Sequence, residues 1–403
     1  MIINRIEKHI IKKSSPMWKI IDQKCLESKS LYNCANYIVR QELNKSGKWI
    51  RYSNLDNLMQ KTEQYKRFGS QVSQNILTVL DRNWKSYFVS IKDWSKKKGE
   101  GYFGKPEYPK YKKYNSRNIL IIKNIQCKIK EEKLMFSWKP LKPFSGIPTH
   151  VEGKLMHVRF IPMGACYYME IVYQIDIQEP KDFDNRIIGI DLGVNNFATI
   201  INNIGFRPIV VKGNTIKSMN QFYNKERSRL SSVSKMRWNN KMRNLTDKHM
   251  RKLDTYTHTV SKRIISYCVE NDISTVVIGL TKEWKNGVNL GHINNQNFVC
   301  IPYEKFINQL IYKGENEGIT CITTNEDFTS GTSFLDNELP TEENYNIKRR
   351  IKRGLFKSNN GTLINSDVNG AYQIVKKVYP TAFTEMFGRG IRGCDLHPVR
   401  LNI

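Results

Sequence analysis

No two of the eight cysteines in this 403-residue chain are spaced as Cys-x-x-Cys; they stand at positions 25, 34, 127, 166, 268, 300, 321 and 394. A zinc ribbon needs two close pairs so that four thiolates meet on one ion, so this scatter argues against a four-cysteine zinc site. Several lie in apolar settings, such as Cys268 in Ile-Ile-Ser-Tyr-Cys-Val, which fits reduced thiols in an intracellular protein. No run of about eighteen apolar residues occurs, which argues against a membrane span. The first residues, MIINRIEKHIIKK, lack the continuous apolar stretch of a signal peptide. Acids are scarce as well: 37 Asp and Glu stand against 65 Lys and Arg, a formal charge of +28. Solubility needs far less. The natural partner of so basic a chain is a polyanion, whose neutralised phosphates release counterions. A basic membrane-surface protein is the alternative, but no amphipathic basic helix or lipidation signal supports it. Nucleic acid is the leading partner.

What is present divides the chain into stretches of different character. Over 18–92 apolar residues recur at helical spacing, as in Trp18, Ile21 and Cys25, and again in Ile76, Val79, Leu80, Trp84 and Phe88. A small helical bundle is expected. Residues 93–117, DWSKKKGEGYFGKPEYPKYKKYNSR, are dominated by Pro, Gly, Lys and Tyr, which excludes a long helix and predicts extended, exposed backbone. Lysines here are candidate phosphate contacts, and Tyr102, Tyr108 and Tyr111 offer faces to stack on bases or to pack under lysine stems. A plain solvated linker is the alternative. Residues 119–176 turn β-rich, at 119–122, 134–138, 156–160 and 167–173, predicting a small β-barrel or sheet.

A βαβ-type region begins at Asp191. Within it, 214–270 reads as a long helical insertion whose first half is basic and suited to a phosphate backbone. In its second half Met250, Leu253, Tyr256, Val260, Ile264 and Tyr267 form an apolar stripe for packing on a sheet. Residues 274–280, STVVIGL, read as a buried strand from their continuous apolar run. A helix near 303–317 leads into a strand at 319–323, and an amphipathic helix with Ile374, Val375 and Val378 follows 364–371.

Carboxylates punctuate this last region. In Ile187-Ile188-Gly189-Ile190-Asp191-Leu192-Gly193 a short apolar strand delivers Asp191 at its end, where its oxygens can face a metal, as in the opening hairpin of RNase H-like nucleases. Two-metal phosphodiester hydrolysis needs several hard oxygen ligands converging on one place, and strand ends and helix starts on one sheet edge provide it. Asp191, Glu326 and Asp367 satisfy that description. Asp367 or Ser366 has a plainer use as the N-cap of the last amphipathic helix.

GIDLGVNNFATI, NQNFVCIPYEKFINQLIYKGENEGI, EDFTSGTSFLD, RRIKRGLFKS and INSDVNGAYQI, with LYNCANYIVRQ and GKPEYPKYKK in the N-terminal half, occur in the order seen in TnpB. The chain therefore resembles TnpB, the OrfB-like RNA-guided nuclease family of bacterial transposons, over nearly its whole length. The resemblance implies a multidomain α+β protein. An RNase H-like (RuvC) α/β nuclease domain at 184–403, with its helical insertion at about 214–270, is preceded by a β-barrel wedge domain (1–17 and 93–183) that carries an inserted helical recognition domain (18–92). It also implies a guide RNA from the transposon end, a short target-adjacent DNA motif, double-stranded DNA as substrate, two Mg2+ ions, and a bacterial cytoplasmic, nucleoid-associated monomer or weak dimer. Nucleic-acid contacts are expected at Lys105, Tyr108, Lys110, Tyr111, Lys112, Lys217, Asn220, Lys225, Arg349 and Arg353.

The chain departs from the family pattern twice. The second catalytic acid usually ends the strand equivalent to 274–280, where this chain has Gly279. Some branches displace the acid to a Glu just before the Thr-Ser motif, and Glu326 ahead of Thr329-Ser330 fits; Glu283 and Asp327 compete. Second, the zinc ribbon is missing, so no zinc is expected. The reading is an RNA-guided DNA endonuclease with Asp191, Glu326 and Asp367 as catalytic metal ligands. Its rivals are a nuclease-inactive RNA-guided DNA-binding repressor and a structure-selective nuclease that uses no RNA.

Overall fold

The computed structural model describes residues 2–102, 104–177, 179–180, 185–233, 239–280 and 301–401, and the chain divides into two compact units, Ile2–Asp176 and Ile177–Ile403. Strands of the first unit are β1 (Ile2–Lys12), β2 (Leu120–Lys123), β3 (Cys127–Lys130), β4 (Lys133–Phe136), β5 (Ile147–Pro148), β6 (Lys154–Pro162) and β7 (Cys166–Asp176). Its helices are α1 (Trp18–Ser46), α2 (Tyr52–Met59), α3 (Glu63–Lys66) and α4 (Ser70–Lys96). The strands hydrogen-bond as an antiparallel sheet ordered β1-β7-β6-β2 and a separate sheet β3-β4-β5. Among the described residues both ladders are open, with β1 and β2 as the edges of the larger one. One core joins helices and sheet: Ile21, Leu31, Leu77 and Trp84 are buried together with Leu120, Val158 and Phe160.

Helix α4 runs four residues into the stretch read as extended, ending at Lys96, and Gly99 and Gly101 then adopt positive φ. The following segment has no helix or strand over residues 105–119, but it is not a free linker. Its backbone carbonyls are tied to one face of α1. Lys29 Nζ donates to Tyr114 (2.7 Å), Asn33 Nδ2 to Lys112 (2.9 Å), and Asn36 Nδ2 and Arg40 to Pro109 (2.9 and 2.6 Å). Spacings of three and four residues put all four side chains on one stripe of the helix. A prolyl-rich segment without a sheet partner thereby has three of its backbone carbonyls, those of Pro109, Lys112 and Tyr114, satisfied.

The second unit is built on a six-stranded sheet ordered β12-β11-β8-β9-β10-β15. Strands β8 (Ile187–Leu192), β9 (Asn196–Asn202) and β10 (Ile209–Lys212) form an antiparallel meander, while β11 (Thr275–Gly279) and β12 (Thr320–Thr324) continue it in parallel on the other side of β8. A hairpin of β13 (Leu355–Lys357) and β14 (Leu363–Asn365) lies outside the sheet, and β15 is Val399–Arg400. The helices are α5 (Asn214–Val233), α6 (Asn240–Glu270), α7 (Tyr303–Asn316), α8 (Ser366–Val378) and α9 (Thr384–Gly388). Alternation along β8 sorts its side chains. Ile188, Ile190 and Leu192 enter a core with Leu253, Val260 and Phe306 of α6 and α7, whereas Ile187 enters a core with Val368 and Val375 of α8. Asp191 therefore falls on the α8 side.

On the helical insertion Leu253, Val260 and Ile264 are buried as the stripe requires, but Met250 is 50% exposed. Its neighbour His249 turns inward, its ring stacked 4.2 Å from that of Tyr223 on α5. The insertion is two packed helices, so its seam serves α5 as well as the sheet. Seven cysteines are free, and Cys300 lies outside the described residues.

Asn36 also accepts the indole N–H of buried Trp84 (3.0 Å), so it couples the 105–113 segment to the core of α4. Replacing it leaves a buried donor unsatisfied. Asn36→Ala is expected to cost about 2 kcal/mol, read as a lower urea midpoint, and to speed tryptic cleavage at Lys105–Lys113.

Candidate active site

Parallel pairing of β8, β11 and β12 aligns three strand ends on one edge of the sheet. Asp191 occupies the end of β8, Glu326 follows β12 by two residues, and Asp367 lies in the first turn of α8. All three are half-buried and line one cavity of about 330 Å³, with Asn196, Thr329 and Arg350. Asp327, the rival acid, is exposed at the rim and takes a hydrogen bond from Asn325 (2.7 Å). Glu283 lies outside the described residues.

The plainer use of Asp367 does not hold. Asn365 caps α8, its side-chain oxygen accepting from the N–H groups of Asp367 (3.0 Å) and Val368 (3.1 Å). Asp367 is thereby released from capping and instead accepts from Asn196 Nδ2 at 2.6 Å. Lys212 Nζ donates to the other end of that amide (3.0 Å), fixing Asn196 with its N–H toward the carboxylate. Asp191 lies over α8 at Gly370, where a Cβ would come within 2.9 Å of its Oδ2.

Electrostatically the site is strained. Burial, then the charges of Glu326 and Asp367, push Asp191 well above the usual carboxylate range, and Arg350 works in the opposite direction. Behind the carboxylates, Tyr303 stacks on Phe197 (6.1 Å between centroids), and burial with the charges of Asp191 and Glu326 raises its pKa. Among the described residues no three His, Cys, Asp or Glu side chains stand as a ready-made cation cage. The donor set nevertheless suits hard divalent ions. Three carboxylates open on one cavity beside an amide, with neither thiolate nor imidazole in its lining.

Sequence reading passed over Asn196 and Lys212, and placed Arg350 only within a basic cluster (Lys348, Arg349, Arg350, Lys352 and Arg353) expected to engage a strand near the active site. Arg350 is one of five cations between 348 and 353, and nothing in the spacing separates it from its neighbours. The separation comes from Glu338. Its carboxylate takes two hydrogen bonds from Arg349 (2.6 and 2.9 Å) and one from the Ser333 N–H (2.9 Å). Arg349, expected on nucleic acid, is thus turned inward, leaving Arg350 at the cavity. The same cysteine-free segment is tied to α8 by Asn369, which bonds Thr332 and Phe334, and by Lys376, which donates to Asn337 (2.7 Å). Burial lowers the Lys376 pKa to about 8.

The remaining candidates scatter. Lys217 bonds Asn195, and burial followed by the charge of Arg353 lowers its pKa. Arg353 and Lys225 are exposed, whereas Asn220 is fully buried on α5, so no phosphate reaches it there. In the first unit Lys105 lies over Trp94, Lys110 pairs with Glu107, and Lys112 lies over Tyr32. Tyr108 packs on Trp84 and Tyr87, and Arg40 stacks 4.5 Å from the centre of the Tyr111 ring.

Sequence comparison adds a family to this geometry. Residues 170–285 match OrfB_IS605, described as a probable transposase, and residues 303–374 match a Cas12f1-like TNB domain. The TnpB-like protein ORF457 of Acidianus two-tailed virus is 22% identical over 410 residues, taking in 89% of this chain and 83% of that one. Among solved structures, one described as a Cas12f1-sgRNA-target DNA complex is 18% identical with a TM-score of 0.38, covering 92% of this chain and 98% of that one. A CRISPR-Cas12f ternary complex is 15% identical with a TM-score of 0.39, covering 89% and 82%. The chain is a mixed α+β protein of more than one domain. Its sequence is related to those of TnpB/Cas12f-like proteins.

The Glu338 latch makes a pH prediction. Burial alone raises Glu338, but the bonds from Arg349 and Ser333 outweigh it and hold the carboxyl below 4.5. A depressed carboxylate contributes stability above its unfolded pKa and loses it as pH falls through the folded one. Glu338→Gln is expected to cost about 2 kcal/mol at pH 7. The difference in melting temperature from wild type should shrink steadily below pH 4.5 in scanning calorimetry.

Proposed function

We propose that this protein is an RNA-guided DNA endonuclease that cuts double-stranded DNA beside a short target-adjacent motif. The observation that carries the reading is the convergence of Asp191, Glu326 and Asp367 on one cavity with Arg350 at its mouth. A sheet edge crowded with mutually repelling acids is costly to keep unless cations bind there. The sequence likeness to a probable transposase and to a TnpB-like viral protein supports the same activity. A net charge of +28 suits a protein that holds both an RNA and a DNA.

In this reading Asp191, Glu326 and Asp367 hold two magnesium ions. Bound there, the ions supply an activated water and neutralise the leaving 3′ oxygen. The chain's own groups do the rest. Asn196, braced by Lys212, keeps Asp367 turned toward the cavity. Arg350 contacts the scissile phosphate and offsets charge that grows on it. Thr329 and Ser330 line the same wall and orient the strand by hydrogen bonds. Sequence is read by base pairing to the guide, while the 105–113 segment and the basic first half of the helical insertion bind backbone. The absence of an acid at Gly279 favours the second reading, a guided DNA-binding protein that does not cut; retention of Asp191 and Asp367 favours cutting.

The test is plasmid cleavage by the purified protein–RNA complex in Mg2+, with the target beside a randomised flank. Linear product is expected from wild type, abolished without RNA and lost in Asp191→Ala and Glu326→Ala. Arg350→Ala should slow cutting about 100-fold with DNA binding retained. Guide-dependent binding without cutting by wild type would establish the second reading.

A further inference from the structure

Gly279 is the residue on this edge with no chemistry of its own. Parallel register sets Ile278 beside Ile190, so Gly279 comes level with Asp191 on one side; on the other it pairs with Thr324, two residues before Glu326. Its backbone is ordinary strand, so freedom of φ is not why glycine stands there. Space is. A Cβ on Gly279 would lie 2.5 Å from Glu326 Oε1, 2.9 Å from Glu326 Cγ and 2.5 Å from Ile374 Cδ1. Those separations are far inside van der Waals contact.

We propose that Gly279 is a positioning residue for the reaction: the missing side chain leaves a passage through which Glu326 crosses β11 to stand beside Asp191. The inference rests on the nuclease reading above. Glu326 originates beyond β12, one strand removed from β8. A side chain at 279 would point to the α8 face, the face Asp191 shares, and would fill the place the Glu326 carboxylate now takes. The two positions are therefore mutually exclusive: one carboxylate, from either strand, beside Asp191. The three nearest atoms all belong to the side chains of Glu326 and Ile374. A small side chain at 279 should displace the carboxylate and leave the fold standing.

The experiment compares Gly279→Ala, Glu326→Ala and the double variant Gly279→Asp with Glu326→Ala, each as the protein–RNA complex. Aspartate at 279 projects its carboxylate from the strand end into the space that Glu326→Ala vacates. For Gly279→Ala, cutting should fall about 100-fold, the effect of shifting a reacting group by an ångström. The Mg2+ concentration for half-maximal cutting should rise, with guide-dependent DNA binding and melting temperature close to wild type. The double variant should cut faster than Glu326→Ala alone. Wild-type cutting and an unchanged Mg2+ requirement in Gly279→Ala would overturn the proposal. Should that variant fail to fold, the double variant decides: recovery supports the passage, and no recovery overturns it. Failure of the nuclease reading itself is distinguishable, because wild type would then bind DNA and leave it uncut.

Discussion

Repulsion among like charges is the constraint around which the second unit is arranged. Asp191, Glu326 and Asp367 crowd one half-buried cavity, and burial together with the charges of the other two acids pushes the Asp191 carboxyl upward. A loose framework would relieve the strain by letting the acids swing apart. Here they are anchored where movement is difficult: at strand ends clamped between two cores and in the first turn of a helix whose apolar face is buried. The framework supplies the stiffness, and a small set of polar groups supplies the tuning. Arg350 offsets charge from one side, and Asn196 with Lys212 steadies Asp367 from the other.

Elsewhere the chain solves a different difficulty, that of holding irregular backbone without a sheet. The 105–114 segment is bound along α1 by Lys29, Asn33, Asn36 and Arg40, and the segment after Thr329-Ser330 is gathered by Glu338, Asn369 and Lys376. Both use long polar side chains from a helix or loop to satisfy backbone groups that have no regular partner. In the second case the gathering also decides which of two adjacent arginines meets solvent and which meets Glu338.

Much of this was readable in the residues, and what was not has physical reasons. Asp191 is legible because an apolar strand, a lone acid and a glycine turn follow one another within a few residues. The helices of 18–92 are legible from local periodicity. Strand β1 is harder: Ile2, Ile3, Ile6, Ile10 and Ile11 do not alternate, and its partner β7 lies at the far end of the unit, so register is invisible locally. The helix cap shifts by one or two positions because Asn365, Ser366 and Asp367 are all competent caps, and backbone geometry chooses among them. Arg350 and Arg349 differ only through Glu338, eleven residues from Arg349, which no spacing rule connects to them. Met250 is misplaced for a similar reason: the insertion folds back on itself, and near this residue the seam turns toward α5 through His249.

The crossing of Glu326 over Gly279 has a consequence for how such a sequence can drift. An acid added at 279 while Glu326 remains finds its space taken, and loss of Glu326 first leaves the edge one carboxylate short. On the proposed passage, no order of single changes keeps one carboxylate beside Asp191 throughout. The arrangement is a trap in sequence space: easy to preserve, hard to leave, and invisible to any search that expects three acids at fixed intervals along the chain.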